Sequence, residues 1–213
     1  MNLQRGFFKA GIILSLAFAG LYYWGTTTIT IDPSNKYALY EKLDQNKLTQ
    51  GDLIFVTKPG FWGEIAQAFS PKDQRYSHIG LLSKSQDGEW TVINADGNPI
   101  DPKGSVREEH LKSFLALATR AGVYELKLDE ITLEKVIAKA RYYVSQGYEF
   151  NSQFKLGQDH AFYCTELIWV VIRDVTSQDI VPQKRMHWGY EYIGIDDLTI
   201  NPFTHETIQI KLP

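Results

Sequence analysis

The chain has 213 residues, 22 Lys and Arg against 25 Asp and Glu, and a formal net charge of -3. That balance leaves no basic footprint for nucleic acid, so no nucleic-acid partner is expected. A single cysteine excludes an internal disulfide framework.

Met1 to Lys9 carries Arg5 and Lys9 ahead of an apolar run from Ala10 to Trp24, with no acidic residue before Asp32. This reads as an export or anchoring segment spanning residues 1–24. Two fates are open. Ala17-Phe18-Ala19 resembles a signal-peptidase site, whereas Phe7 to Trp24 is about the minimum length of a membrane span, with Tyr22, Tyr23 and Trp24 as an interfacial belt. Either fate puts the body in the cell envelope, anchored in the inner membrane facing the periplasm or secreted to the periplasm. Residues 25–45 read as a linker or N-terminal extension, and residues 46–213 as one domain.

Within the body, Leu53 to Val56 is a short apolar run after Gly51-Asp52 and predicts a buried strand. Phe61, Trp62, Ile65 and Phe69 recur at helical spacing. Ser77 to Leu82 and Trp90 to Ala95 predict two strands joined through Asp87-Gly88. Val123 to Leu128 predicts another. A helix follows from the N-cap Asp129, with Leu133, Val136, Ile137, Ala140 and Val144 as its stripe and Gly147 as its stop. Cys164 opens a helix carrying Leu167, Ile168, Val171, Ile172 and Val175. The stretch Gln183 to Trp188 reads as a solvated loop, and Thr207 to Leu212 as a closing strand. The class is α+β, a small antiparallel sheet packed against helices, with an N-terminal hydrophobic segment.

Cys164 is the natural candidate for chemistry. A thiol at a helix start sits among unpaired N–H groups at the positive end of the dipole, which favours the thiolate. A cysteine hydrolase also needs an imidazole and a group to orient it. Of five histidines, His78 starts an apolar strand, and Asn94 lies inside the next. A hairpin of the two brings Asn94 beside His78. His160, four residues before Cys164, invites a metal reading, but zinc needs three or four protein ligands and no second cluster accompanies it. No metal and no cofactor are therefore expected. Glu166, early in the helix, reads as a cap or dipole partner.

Three segments carry a resemblance. Gly51-Asp52-Leu53-Ile54-Phe55, Ser77-His78-Ile79-Gly80-Leu81-Leu82 and Val92-Ile93-Asn94-Ala95 look like the successive sheet motifs of NlpC-type papain-like hydrolases. Phe162-Tyr163-Cys164-Thr165-Glu166-Leu167 follows them, where the standard order puts the cysteine helix first. That order resembles the circularly permuted branch of YaeF/YiiX-like amidases, with lecithin:retinol acyltransferase as a distant relative. The resemblance implies a permuted papain-like fold with Cys164 as nucleophile, His78 as base and Asn94 in the third polar position. The Cys164 N–H is then the first oxyanion donor. Tyr163 and Tyr148 are candidate second donors by chemistry alone, and Ser77 is a candidate substrate contact. The expected substrate is an envelope peptide amide, such as a cell-wall peptide. The rivals are a thiol-dependent lipid acyl hydrolase or acyltransferase, and a binding module that keeps the cleft without turnover.

Overall fold

The computed structural model describes residues 36–98 and 101–213. The predicted signal or anchor segment lies outside the described residues. Among the described residues no helix is long and apolar enough to cross a membrane.

An eight-stranded sheet organises the molecule. Its strands are β1 Leu53–Thr57, β2 His78–Lys84, β3 Trp90–Asn98, β4 Asp101–His110, β5 Arg120–Leu126, β6 Glu149–Phe150, β7 Ala161–Phe162 and, after a separate hairpin, β10 Thr204–Lys211. The spatial order is β10-β5-β1-β2-β3-β4-β6-β7. Neighbours run antiparallel except β6 and β7, which pair in parallel. The sheet is wider than expected from sequence because β4, β6 and β7 carry no apolar alternation to announce them.

The alternation of side chains along each strand divides the core in two. Leu53, Phe55, Ile79, Leu81 and Ile93 face one way. They meet α4 (Glu130–Ser145) and α5 (Cys164–Thr176) through Val136, Ile137, Ala140, Leu167, Ile168, Val171 and Ile172. Ile54, Val56, Leu82 and Val92 face the other way, towards α1 (Ala38–Lys42) and α3 (Leu111–Phe114). Leu39 and Leu43 are buried there. The part of 25–45 that is described thus contributes a helix to the second core.

The remaining elements are α2 (Phe61–Ala68), a 3-10 turn at Gln45–Lys47, a hairpin of β8 (Arg185–His187) and β9 (Tyr190–Tyr192), and α6 (Asp196–Thr199). The hairpin corrects the expectation of a loop over Gln183 to Trp188. Residues at its tip, Trp188 (φ 46°) and Gly189 (φ 82°), turn the chain through the left-handed region. Arg185 ties its base to Asp196 and Asp197 at 2.8 and 2.7 Å.

Candidate active site

The nucleophile candidate is set by a strand-to-helix turn. β7 delivers the chain to Tyr163, still extended at φ -94° and ψ 171°, and the helix begins at Cys164. Glu166 fixes that start. Its buried carboxylate accepts from the Tyr163 N–H at 3.3 Å, the Gly157 N–H at 2.9 Å and Asn151 Nδ2 at 3.0 Å. This is the cap role expected of it. Four residues behind Cys164, Leu167, Ile168, Val171 and Ile172, are buried. At about 1.5–3 kcal/mol per buried aliphatic side chain they hold the helix firmly on the sheet.

The base candidate comes from the hairpin. β2 and β3 pair with Leu81 opposite Ile93 and Leu82 opposite Val92. Carried one step further, this register sets Asn94 beside Gly80. A Cβ at Gly80 would stand 2.2 Å from Val92 Cγ1 and 3.3 Å from Asn94 Cβ. The missing side chain at 80 therefore leaves Asn94 room to reach diagonally to the strand start. There Asn94 Oδ1 meets His78 Nε2 at 3.2 Å. Both residues are buried, and the His78 ring packs on Phe114 at 5.5 Å.

Ile79, the residue after His78 on β2, packs in the same core cluster as Cys164 and its helix, while the His78 ring packs on Phe114 of the second cluster. The backbone N–H groups of Thr165, Ile79 and Cys164 favour the thiolate. The charge of Asp96 acts on both Cys164 and His78. Asp96 is two residues beyond Asn94 on the same face of β3, and is bound by Arg107 at 2.6 Å and Lys58 at 3.5 Å. Burial opposes its ionisation, but the charges around it outweigh burial and hold the carboxyl below its ordinary range.

Burial also governs the two reactive groups. It pushes the Cys164 thiol up to about 12, with the Asp96 charge adding to it and the facing N–H groups opposing. It pushes the His78 imidazole down to about 4, helped by the Lys58 ammonium and opposed by Asp96, Asn94 and Glu109. Burial thus opposes the thiolate that the N–H groups at the helix start favour.

The other candidates have different surroundings. Tyr163 is buried with its hydroxyl accepting from the Ile193 N–H at 2.8 Å. Ser77 Oγ accepts from the Lys58 N–H at 2.9 Å and bridges to the Val56 carbonyl. Tyr148 stacks on Phe162 at 4.9 Å and lies 4.2 Å from the His160 ring, whose Nε2 meets the Gln146 carbonyl at 3.1 Å. Tyr148, His160, Phe162, Glu166, Trp169 and Arg173 line a cavity of about 470 Å³. Neither Cys164 nor His78 is among its lining residues. Among the described residues, no three His, Cys, Asp or Glu side chains gather where they could hold a metal ion. Sequence reasoning missed Lys58, Asp96, Arg107 and Glu109. Asp96 was accessible through the two-residue period from Asn94, but the others depend on pairings that the sequence does not announce.

Over residues 47–187 the sequence matches the model of the permuted papain-like amidases, the YaeF/YiiX group or C92 family. The chain belongs to this family. The matched span holds Cys164, His78 and Asn94, and the family is one of papain-like amidase and cysteine peptidase enzymes. The order of the permuted branch is visible in the chain itself, since the candidate base His78 and its partner Asn94 precede the helix of the candidate nucleophile Cys164. Among solved structures, the metalloprotein YiiX from Escherichia coli O157:H7 shares the fold at a TM-score of 0.63 and 18% identity. The match covers 78% of this chain and 98% of that one. No curated protein sequence matches.

Proposed function

We propose that this amidase-family chain hydrolyses a peptide amide through an acyl-enzyme on Cys164, with His78 as base and Asn94 holding the imidazole. The observation that supports it is the 3.2 Å hydrogen bond between His78 Nε2 and Asn94 Oδ1 on β2 and β3, with Ile79 of β2 in the same core cluster as Cys164 and its helix. With Nε2 engaged, Nδ1 keeps the lone pair that takes the thiol proton. Attack then proceeds as the proton leaves sulfur, and His78 returns it to the leaving amine. Water enters next, His78 accepts its proton, and the thioester breaks to release the acid. The N–H of Cys164 at the helix start stabilises the oxyanion in both halves.

The substrate class we infer is a cell-wall peptide, from the export-type N-terminal segment combined with amide chemistry. The test is the intact mass of the protein after exposure to cell-wall peptide fragments and, separately, to phospholipid vesicles. A peptidyl increment on Cys164 that is absent from Cys164→Ser supports the reading. A fatty-acyl increment instead assigns acyl-lipid chemistry, and no increment with either rejects covalent catalysis. A reporter fused after Pro213 that is active only in the periplasm supports the envelope location, and a cytosolic signal rejects it.

A further inference from the structure

We propose that Glu109 is a positioning residue that sets the tautomer of His78 by fixing which way the Asn94 amide points. The inference rests on the reading of His78 as the base. It begins from β4, which pairs with β3 so that Arg107 stands opposite Asn94 and Glu109 opposite Val92. From there Glu109 Oε1 lies 3.0 Å from Asn94 Nδ2, and Asn94 Oδ1 lies 3.2 Å from His78 Nε2.

The two ends of a carboxamide have nearly the same shape, so its orientation is decided by its partners. An ionised carboxylate only accepts hydrogen bonds. The Asn94 NH2 must therefore face Glu109, and its carbonyl must face the ring. A carbonyl also only accepts, so His78 Nε2 must carry the proton. The lone pair of the neutral ring is then left on Nδ1, where the thiol proton has to go. Either alternative, a flipped amide or the other tautomer, sets two lone pairs against each other. Asn94 is fully buried, and no bulk water relieves such a clash.

The surroundings reinforce the arrangement. Arg107 Nε lies 3.4 Å from the same Glu109 oxygen, and Arg107 Nη2 binds Asp96 at 2.6 Å. The charges acting on His78 are Lys58 beyond β1, Asp96 on β3 and Glu109 on β4, while α3 contributes the uncharged Phe114 ring. Glu109 also returns a negative charge, at one remove, to a histidine whose direct partner is a neutral amide.

The test uses the full chain labelled with 15N-histidine, the His78 signals being identified by their loss in His78→Ala. The wild type should show the Nε2–H tautomer. In Glu109→Gln the amide at 109 donates as readily as it accepts, so the Nδ1–H form should appear. Iodoacetamide alkylation of Cys164 at neutral pH should slow roughly tenfold, the order expected when a charge-assisted hydrogen bond becomes a neutral one. Asn94→Asp added to Glu109→Gln should restore both, because the new carboxylate accepts from Nε2–H and the amide at 109 can donate to it. A Glu109→Gln protein that keeps the pure Nε2–H tautomer and the wild-type alkylation rate overturns the proposal, as does a double variant that stays in the mixed form. Failure of the base assignment is separate: His78→Ala would then alkylate at the wild-type rate, and the tautomer in Glu109→Gln would still decide the role of Glu109.

Discussion

The resting site should hold a neutral thiol and a neutral imidazole, and the size of the effect can be worked out. Cys164 near 12 and His78 near 4 are separated by about eight pH units. At about 1.4 kcal/mol per unit, moving the proton from sulfur to ring costs about 11 kcal/mol before the two charges attract. Attraction between unit charges returns about 4 kcal/mol for a contact of about 4 Å at an effective dielectric near 20. The balance of about 7 kcal/mol leaves the ion pair at a population of about one part in 10⁵. A pH–rate profile alone does not test this, because the ion pair and the neutral pair carry the same number of protons. The ultraviolet absorbance of the thiolate does. The difference between wild type and Cys164→Ser should show no thiolate from about pH 5 to pH 9, while alkylation stays level and falls only as His78 protonates near pH 4. His78→Ala should slow alkylation by about 10²–10⁴, the range of a positioned base. One full equivalent of thiolate at neutral pH would refute the reasoning.

Other outcomes follow from the same structure. Asp52 is buried, and burial lifts its carboxyl from 3.8 to about 6, with Glu125 adding to the lift. Its raised folded value means that the neutral form suits the fold, so stability present at low pH is lost as pH rises through 6, by roughly 3 kcal/mol. Asp52→Asn should therefore stabilise the protein by up to that amount at pH 8 and little at pH 4, and urea unfolding at the two pH values that gives equal gains would contradict it. Gly80→Ala drives a Cβ to 2.2 Å from Val92 Cγ1 and crowds Asn94. It should cost about 1–3 kcal/mol and slow Cys164 alkylation together, as thermal unfolding and mass spectrometry would show.

The sequence disclosed those parts of the fold whose apolar residues form a run or follow a regular period. β1, β2 and β3 announce themselves as short apolar runs and α4 and α5 by helical spacing, and Asp129 caps α4 as expected, accepting from the Thr132 N–H at 3.0 Å. Their hairpin also made His78 and Asn94 readable as a pair. β4 was hidden because Asp101-Pro102-Lys103-Gly104-Ser105-Val106-Arg107-Glu108-Glu109-His110 has one apolar residue with a side chain suited to a core. Its charged residues instead hold partners around it: Glu108 binds Arg141 on α4, Arg107 binds Asp96, and Glu109 accepts from Asn94. The charge states of Cys164 and His78 were hidden for another reason. Burial sets them, and burial is a property of the assembled core, whereas the helix-start argument used only what is local.

The strand that closes the sheet also holds the segment just ahead of β2. Glu206 on β10 takes both Nη1 contacts of Arg75 at 3.0 Å and the hydroxyl of Tyr76 at 3.0 Å, immediately upstream of His78. The segment that leads into His78 is thus held by a residue 131 positions further along the chain. A protein cut before β10 should lose the Arg75 and Tyr76 anchors together, and with them the fixed entry of the chain into β2.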